Sequence, residues 1–150
     1  MSKLIVPIAC DHRGFPLKAV IVAWLRDNGY QPLDLGTDSE ARCDAFDYAR
    51  KVSDELKKDA SLRGILICGT GQAMAMTANR YRHVRAALCA NATMAKMARQ
   101  HNDANVLALG AHITGELVAL DCVEAFLKTD FLGGRYAERR DALTAMGGVE

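Results

Sequence analysis

Residues 64–71 read GILICGTG, an apolar run that ends in a cysteine and passes at once into glycines around a threonine. A short apolar run bounded by glycines is typical of a buried β-strand followed by a turn. Four other short runs have the same strand character: LIVPIA (4–9), QPLDL (31–35), VRAALC (84–89) and NVLALG (105–110). Because most of them carry apolar residues at consecutive positions, we expect strands that are covered on both faces.

Helical patterns lie between these runs. The first has apolar residues at the i, i+3, i+4, i+7 and i+8 spacing of a helix with one buried face: Leu17, Val20, Ile21, Trp24 and Leu25. Residues 45–56 and 119–127 carry similar patterns. Strands that alternate with helices imply right-handed crossovers and a parallel sheet. The sequence therefore predicts an α/β fold, a Rossmann-like three-layer αβα sandwich with about five parallel strands.

One residue conflicts with this pattern. Pro7 lies inside the first predicted strand and lacks the N–H that a sheet ladder needs, and prolines are therefore normally confined to edges and bulges. We expect this strand either to carry a local irregularity or to lie away from the centre of the sheet.

Length and composition limit the class of protein. The chain has 150 residues, half of them hydrophobic, which predicts a single domain over residues 1–150 with a sizeable core. Nineteen basic residues against eighteen acidic ones give a net charge of +1, so no overall field indicates a nucleic acid or a membrane as partner. Five cysteines without a CxxC pair predict free thiols in a reducing compartment. With no signal-peptide or transmembrane pattern, we expect a cytoplasmic protein.

Chemically active residues follow several of the predicted strands. CDHRG (10–14) ends the first strand, CGTGQAM (68–74) the third and CANAT (89–93) the fourth. Because ligands of open parallel sheets bind outside the carboxyl ends of the strands, these segments form the candidate site. We expect further groups from two segments elsewhere, RQHNDANV (99–106) and GGRYAERR (133–140).

The glycine loop is the first candidate. Its backbone N–H groups and the following helix face an anion, and a thiol at a helix amino terminus, here Cys68, is a usable base or nucleophile. The loop matches neither GxGxxG nor GxxxxGK[ST], so nucleotide binding has no direct support. Two plainer interpretations stay open: the glycines form only a tight turn, and Cys68 is a small buried hydrophobe, as we expect for Cys10, Cys89 and Cys122.

Other candidates have similar alternatives. Asp11 either reaches a ligand or caps the following helix. His101 is either a site residue or a surface histidine at a helix end, with His83 and His112 as rivals nearby. Arg135 and Arg139 share a helix face, which suits a phosphate but also a solvated basic surface. No cluster of Cys, His and Asp has metal-ligand spacing, so we predict no metal.

In this order, the segments resemble the ribose-5-phosphate isomerase type B family, which includes the galactose-6-phosphate isomerase subunits. The matching segments are CDHRGFPLK (10–18), DLGT (34–37), GILICGTG (64–71), AN (78–79), VRAALC (84–89), HNDANVLALGA (101–111) and GGR (133–135). The resemblance implies interconversion of an aldose and a ketose phosphate through an enediolate, without a metal or other cofactor. It also implies a homodimer or homotetramer whose active sites are built from two chains.

The resemblance also assigns roles to residues. Cys68 matches the base that moves the proton between C2 and C1, and Thr70 a residue that helps move protons between the sugar oxygens. The N–H groups of Gly69, Gly71, Ala73 and the residues between them match the oxyanion hole. The remaining matches are His101 with Asp11 for opening the sugar ring, His12, Arg135 and Arg139 for the phosphate, and Asn102 for a sugar hydroxyl.

The chain departs from the family pattern near the site. Where the family usually has other residues, this sequence has Ala45, Ala73, Ala75, the segment NATM (91–94), His112 and Tyr136. Alanine tolerates positive φ poorly, so Ala73 predicts a reshaped loop. We expect ribose 5-phosphate and ribulose 5-phosphate as substrates. The alternatives are another sugar phosphate (galactose or allose 6-phosphate, or a tetrose 4-phosphate), a non-catalytic phosphosugar-binding module, and a flavodoxin-like or nucleotide-binding protein.

Overall fold

The computed structural model describes residues 2–150 and contains five strands and six helices in that range. The strands are β1 (Ile5–Cys10), β2 (Gln31–Asp34), β3 (Gly64–Cys68), β4 (Ala86–Leu88) and β5 (Val106–Gly110). The helices are α1 (Phe15–Asp27), α2 (Ala45–Lys58), α3 (Gln72–Ala78), α4 (Ala92–Asn102), α5 (Glu116–Lys128) and α6 (Arg135–Ala145). No helix in residues 2–150 combines the length and the apolar composition that crossing a membrane requires.

The strands form one parallel sheet in the order β2-β1-β3-β5-β4. Side chains of α1, α4 and α5 pack in the core on one face, and those of α2 and α3 pack in the core on the other. The prediction of a three-layer αβα sandwich with five parallel strands is therefore confirmed.

The central strand β3 supplies both cores. Ile65 and Ile67 point into one and Leu66 and Cys68 into the other, and each of these side chains is buried. This is why the sequence of β3 is apolar at every position rather than alternating, because helices cover both of its faces.

Pro7 is accommodated inside the sheet. β1 runs unbroken from Ile5 to Cys10 and lies between β2 and β3, one strand in from the edge. Its pairing with β2 includes Pro7, whereas its register with β3 begins only at Ile8, which faces Ile65. The missing N–H is thus tolerated where the ladder to β3 has not yet started.

The edge strand is shorter than its sequence predicts. The run at 84–89 predicts six residues, but β4 contains only Ala86–Leu88. At its start the Arg85 N–H donates to the side chain of Asn105 at 2.7 Å instead of to a neighbouring strand.

A buried lysine fixes the turn after β2. The side chain of Lys18 in α1 is 2% exposed, and its ammonium donates to Asp34 Oδ1 and, at 2.7 Å, to the carbonyl oxygen of Thr37. The same turn is bonded to the end of β1, because the Cys10 N–H donates to the Gly36 carbonyl at 2.7 Å and the Thr37 N–H donates to the Cys10 carbonyl at 2.9 Å. Lys18 therefore stabilises the backbone beside the candidate residue Asp11.

Candidate active site

Cys68 lies at the carboxyl end of β3, at the start of the glycine loop. Its side chain is buried, and its sulfur accepts a hydrogen bond from the backbone N–H of Gly71 at 3.1 Å. Gly71 has φ +79°, and a Cβ at this position would lie 2.4 Å from Leu88 Cδ1 and 2.9 Å from the carbonyl carbon of Leu109. Only glycine fits here, so the loop holds its N–H against the sulfur.

The loop leaves several other N–H groups free. Within residues 2–150, the N–H groups of Gly69, Thr70 and Ala73 have no hydrogen-bond acceptor, whereas that of Gly71 is taken by the sulfur. The Gln72 N–H bonds to Thr70 Oγ1 at 3.4 Å. The free groups cluster beside Cys68, which makes the loop a candidate anion site.

Ala73 does not strain this loop. It is the second residue of α3, and the left-handed conformation falls on Gly71 instead. Among residues 2–150, Asp103 is the non-glycine residue with positive φ. The expectation that alanine at 73 reshapes the loop through positive φ is therefore wrong.

Asp11 lies next to Cys68, at the end of β1. Its N–H donates to the Ile67 carbonyl at 3.1 Å, and its Oδ1 accepts the N–H groups of Arg13 at 2.9 Å and Gly14 at 3.1 Å. The N-cap of α1 is Gly14, which no side chain caps. Asp11 thus closes the turn before the helix rather than capping the helix itself. Its Oδ2 accepts no hydrogen bond from residues 2–150.

His12 is oriented by a residue that sequence analysis did not single out. The backbone N–H of Cys43, in the loop between β2 and α2, donates to His12 Nδ1 at 3.3 Å, and the Cys43 sulfur lies 4.0 Å from the same nitrogen. A neutral imidazole that accepts through Nδ1 carries its proton on Nε2. Nothing in the sequence beyond the presence of a cysteine marks Cys43, because its contact spans 31 positions.

A second group of candidates surrounds one aromatic ring. His101 stacks on Tyr136 with ring centroids 4.5 Å apart and an interplanar angle of 8°. The guanidinium carbons of Arg135 and Arg139 lie 5.2 Å and 5.9 Å from the same ring. Asn102 lines a cavity of about 430 Å³ that is bounded by residues 79–87, by α4 and by the end of α6. This group contains every candidate from the segments 99–106 and 133–140.

The two groups lie at opposite ends of the strands. Cys68, Asp11 and the glycine loop follow the carboxyl ends of β3 and β1, whereas α4 starts beyond the carboxyl end of β4 and returns to the amino end of β5. His101 is the tenth residue of α4 and lies about 14 Å along the helix axis from Ala92. One chain therefore does not bring Cys68 and His101 together.

Three other cysteines, Cys10, Cys89 and Cys122, are buried in the hydrophobic core. Burial raises the pKa of Cys10 to about 12, that of Cys89 to about 12 and that of Cys122 to about 11. These thiols stay protonated near neutral pH, as expected for small buried hydrophobes. All five cysteines are unpaired. In residues 2–150 no three Cys, His, Asp or Glu side chains converge as a metal-ligand set.

The chain is similar to known proteins over most of its length. It is 40% identical over 141 residues to ribose-5-phosphate isomerase B of Escherichia coli. The aligned residues cover 94% of this chain and 95% of that protein. A ribose-5-phosphate isomerase B structure from Clostridium thermocellum matches with a TM-score of 0.93 and 41% identity over 95% of this chain and 97% of that chain. The enzyme of Mycoplasma genitalium, solved with bound ribulose-5-phosphate, matches with a TM-score of 0.92 and 37% identity over 97% of each chain.

The model of one protein family also matches. It covers residues 6–143, which include both groups of candidate residues, and its description is Ribose/Galactose Isomerase. A match over this range, together with relatives at 40% identity, identifies the chain as a member of the Ribose/Galactose Isomerase family.

Proposed function

We propose that this chain is an aldose–ketose isomerase that interconverts ribose 5-phosphate and ribulose 5-phosphate. The observation that carries the proposal is the sulfur of Cys68, held by the Gly71 N–H at 3.1 Å beside backbone N–H groups without acceptors. A module that only binds a sugar phosphate has no need of a base at this point. Relatives of the same length bear the name of this activity, and one was solved with ribulose-5-phosphate.

The proposed reaction moves one proton between two carbons. The Cys68 thiolate takes the proton from C2 of the open-chain aldose, and the electron pair of the broken C–H bond forms the enediolate double bond. The same sulfur then returns a proton to C1, so no oxidant or reductant is consumed. The free N–H groups of Gly69, Thr70 and Ala73 stabilise the oxyanion, and such donors typically lower a barrier by about 3–4 kcal/mol each.

The remaining residues bind the substrate and move its other protons. Thr70 shuttles a proton between the oxygens on C1 and C2. Asp11, whose Oδ2 is free, and His101 open the furanose ring. His12, with its proton on Nε2, donates to the phosphate.

The phosphate and one sugar hydroxyl also need residues from α4 and α6. Arg135 and Arg139 bind the phosphate, because two guanidiniums one helical turn apart match its oxygens. Asn102 contacts a hydroxyl. Together with His101, these groups must approach the glycine loop. Within one chain, however, they lie at the opposite end of the strands.

A second copy of the chain supplies them in this proposal. Met94, Met97 and His101 share one face of α4, and both methionines are exposed. A cavity of about 290 Å³ lined by Thr70, Leu88 and Met94 joins this face to the glycine loop. A two-fold axis perpendicular to α4 would pair this face with its copy in antiparallel orientation, which brings the end of one α4 to the start of the other. We therefore propose a homodimer, or a pair of dimers, with shared active sites.

Mixed dimers test this arrangement. Cys68→Ala and His101→Ala subunits are purified separately, found inactive, and then mixed under conditions that exchange subunits. If sites are shared, a mixed dimer has one site with both changes and one intact site, and random exchange restores about a quarter of wild-type activity. If each site lies within one chain, mixing restores nothing and the shared-site proposal is wrong.

The activity itself is tested by following ribulose 5-phosphate formation by purified wild-type protein without added metal. We expect kcat/KM of ~10⁴ M⁻¹s⁻¹ or more. A panel of galactose, allose and tetrose phosphates follows, and a higher kcat/KM on one of these would replace the ribose assignment while keeping the reaction.

Cys68→Ala separates an enzyme from a binding module. We expect this variant to lose turnover but to retain calorimetric binding of ribose 5-phosphate. Unchanged turnover in Cys68→Ala would show that Cys68 is not the base. Binding without turnover in the wild-type protein would favour the non-catalytic module.

Because all five cysteines are unpaired and Cys68 must stay reduced, we place the protein in a reducing compartment, the cytoplasm.

A further inference from the structure

Tyr136 contacts three of the residues to which the proposed function gives a role. Its ring stacks on His101 at 4.5 Å, and the guanidinium carbons of Arg135 and Arg139 lie over it at 5.2 Å and 5.9 Å. Its hydroxyl also accepts a hydrogen bond from Arg135 at 3.3 Å. The ring is half-buried by these contacts. One side chain thus lies at the centre of the group from α4 and α6.

The rest of α6 provides little to orient these residues. No residue of α6 is buried, so the helix is not fixed by a hydrophobic core. An ion pair attaches α6 to the end of α4: Arg140 donates to Oδ2 of Asp103 at 2.8 Å. Arg140 directly follows Arg139, and Asp103 is the C-cap of α4. The orientation of the site side chains therefore depends on contacts that they make among themselves, and Tyr136 is common to all of them.

The chemistry of the ring suits this role. A flat stack restricts the rotation of the His101 imidazole, and the negative face of an aromatic ring attracts guanidinium groups. Arg135 and Arg139 carry like charges one turn apart and repel each other when no phosphate is bound. The attraction of both guanidiniums to one ring offsets this repulsion and keeps both side chains near the position that a phosphate needs.

Resting on the proposed function, we propose that Tyr136 is a positioning residue that orients His101 for ring opening and holds Arg135 and Arg139 for phosphate binding. One ring thereby couples recognition of the phosphate to the step that opens the sugar. Tyr136 acts through these neighbours and needs no contact with the substrate. The aromatic ring, not the hydroxyl, is its essential part.

Two substitutions separate ring from hydroxyl. Tyr136→Leu removes the ring, and we expect KM to rise about fivefold or more and kcat to fall about tenfold, since small displacements of catalytic groups have effects of this order or larger. Tyr136→Phe keeps the ring, and we expect both constants within about twofold of wild type. The control is Phe131→Leu, because the guanidinium carbon of Arg140 lies over the Phe131 ring, 4.8 Å from its centroid, and Arg140 has no role in the proposed site.

Double variants show through which neighbour the ring acts. In a His101→Ala background, Tyr136→Leu should no longer lower kcat but should still raise KM. In an Arg135→Ala, Arg139→Ala background the effect on KM should disappear. Two results would overturn the proposal. Effects of the same size in every background would indicate a merely structural role for Tyr136. Wild-type kcat and KM in Tyr136→Leu would indicate that the residue has no role in the reaction.

Equilibrium binding distinguishes this proposal from the proposed activity. Calorimetric titration with inorganic phosphate needs no turnover, and we expect Tyr136→Leu to weaken phosphate binding about fivefold while Phe131→Leu leaves it unchanged. An inactive wild-type protein that shows this pattern would overturn the activity and support the role of Tyr136 toward the arginines. Equal phosphate affinity in wild type and Tyr136→Leu would overturn that role even in an active enzyme.

Discussion

The backbone N–H of Gly71 lies 3.1 Å from the sulfur of Cys68, and the two residues close the glycine loop on the end of β3. Gly71 can do this because it adopts φ +79° in a space where Leu88 and the backbone of Leu109 leave no room for a Cβ. The position of the candidate base thus depends on the absence of a side chain three residues later.

We therefore predict that Gly71→Ala damages both activity and stability. Left-handed strain and the clash with Leu88 should together lower the free energy of unfolding by roughly 2–4 kcal/mol, and kcat should fall because the sulfur loses its donor. Gly115→Ala is the control, since φ is −73° there and a Cβ would meet no atom within 4 Å. Urea unfolding and steady-state kinetics measure both effects, and equal stability of the two variants would contradict the prediction.

A second prediction concerns the ion pairs of Asp103. Burial alone would raise the pKa of this carboxyl, but hydrogen bonds from Arg140 and Arg99 outweigh it and hold the pKa below its usual range. A lowered folded-state pKa means that the stabilisation is complete above the unfolded value of about 4 and is lost as the pH falls through the folded value.

Asp103→Asn should accordingly lower the free energy of unfolding by about 1–3 kcal/mol at pH 7, and by progressively less as the pH falls below about 4. Urea unfolding at pH 7 and pH 3 measures the difference. Asp130→Asn serves as control, because that side chain is 99% exposed and lies 3.9 Å from its partner Arg63. A deficit for Asp103→Asn that grows on acidification would contradict the sign.

The third prediction concerns the buried ammonium of Lys18. Lys18→Met leaves the Thr37 carbonyl without its donor and Asp34 without its counter-charge. We therefore expect the free energy of unfolding to fall by roughly 2–3 kcal/mol. This is less than for a fully buried pair, because Asp34 is partly exposed. Activity should fall as well, since the freed turn adjoins Asp11. Lys128→Met removes an exposed pair with Glu124 and should change stability by less than about 0.5 kcal/mol. Similar unfolding curves for the two variants would show that Lys18 does not hold the turn.

The fourth prediction separates binding from catalysis. Arg135→Ala and Arg139→Ala should each raise KM for ribose 5-phosphate about tenfold or more with little change in kcat, because a phosphate remote from the reacting carbons is bound equally in the ground and transition states. Arg50→Ala, on the exposed side of α2, should leave KM unchanged. A steady KM in both site variants would remove the phosphate assignment.

The sequence predicts most of this fold for physical reasons. The helices α1, α2 and α5 follow from apolar residues at helical spacing, and β3 and β5 from apolar runs that only a strand covered on both faces requires. The limits of β4 were less predictable, because the N–H of Arg85, just before the strand, donates to the side chain of Asn105, 20 positions away in the chain. An apolar run records burial but not which partner takes each N–H.

Two residues show what local sequence does not carry. Lysine is among the residues least often buried, so nothing in the helical pattern of α1 marks Lys18 as a core residue. Its burial depends on Asp34 and Thr37, which only the packing of α1 against the β2 turn brings within reach. In the same way, Tyr136 gains its place beside His101 from the packing of α6 on α4.

By itself, the amino-acid sequence determined the parallel αβα sandwich, the glycine loop with Cys68 at its start and the family to which the chain belongs, because periodicity and short motifs are local properties. Only the tertiary structure decided how the candidate residues divide. The direction of α4 places His101 near the amino ends of the strands, whereas Cys68 lies at the carboxyl end of β3. The folded chain therefore presents two separate groups of candidate residues, since a helix that connects parallel strands must return from their carboxyl ends to their amino ends.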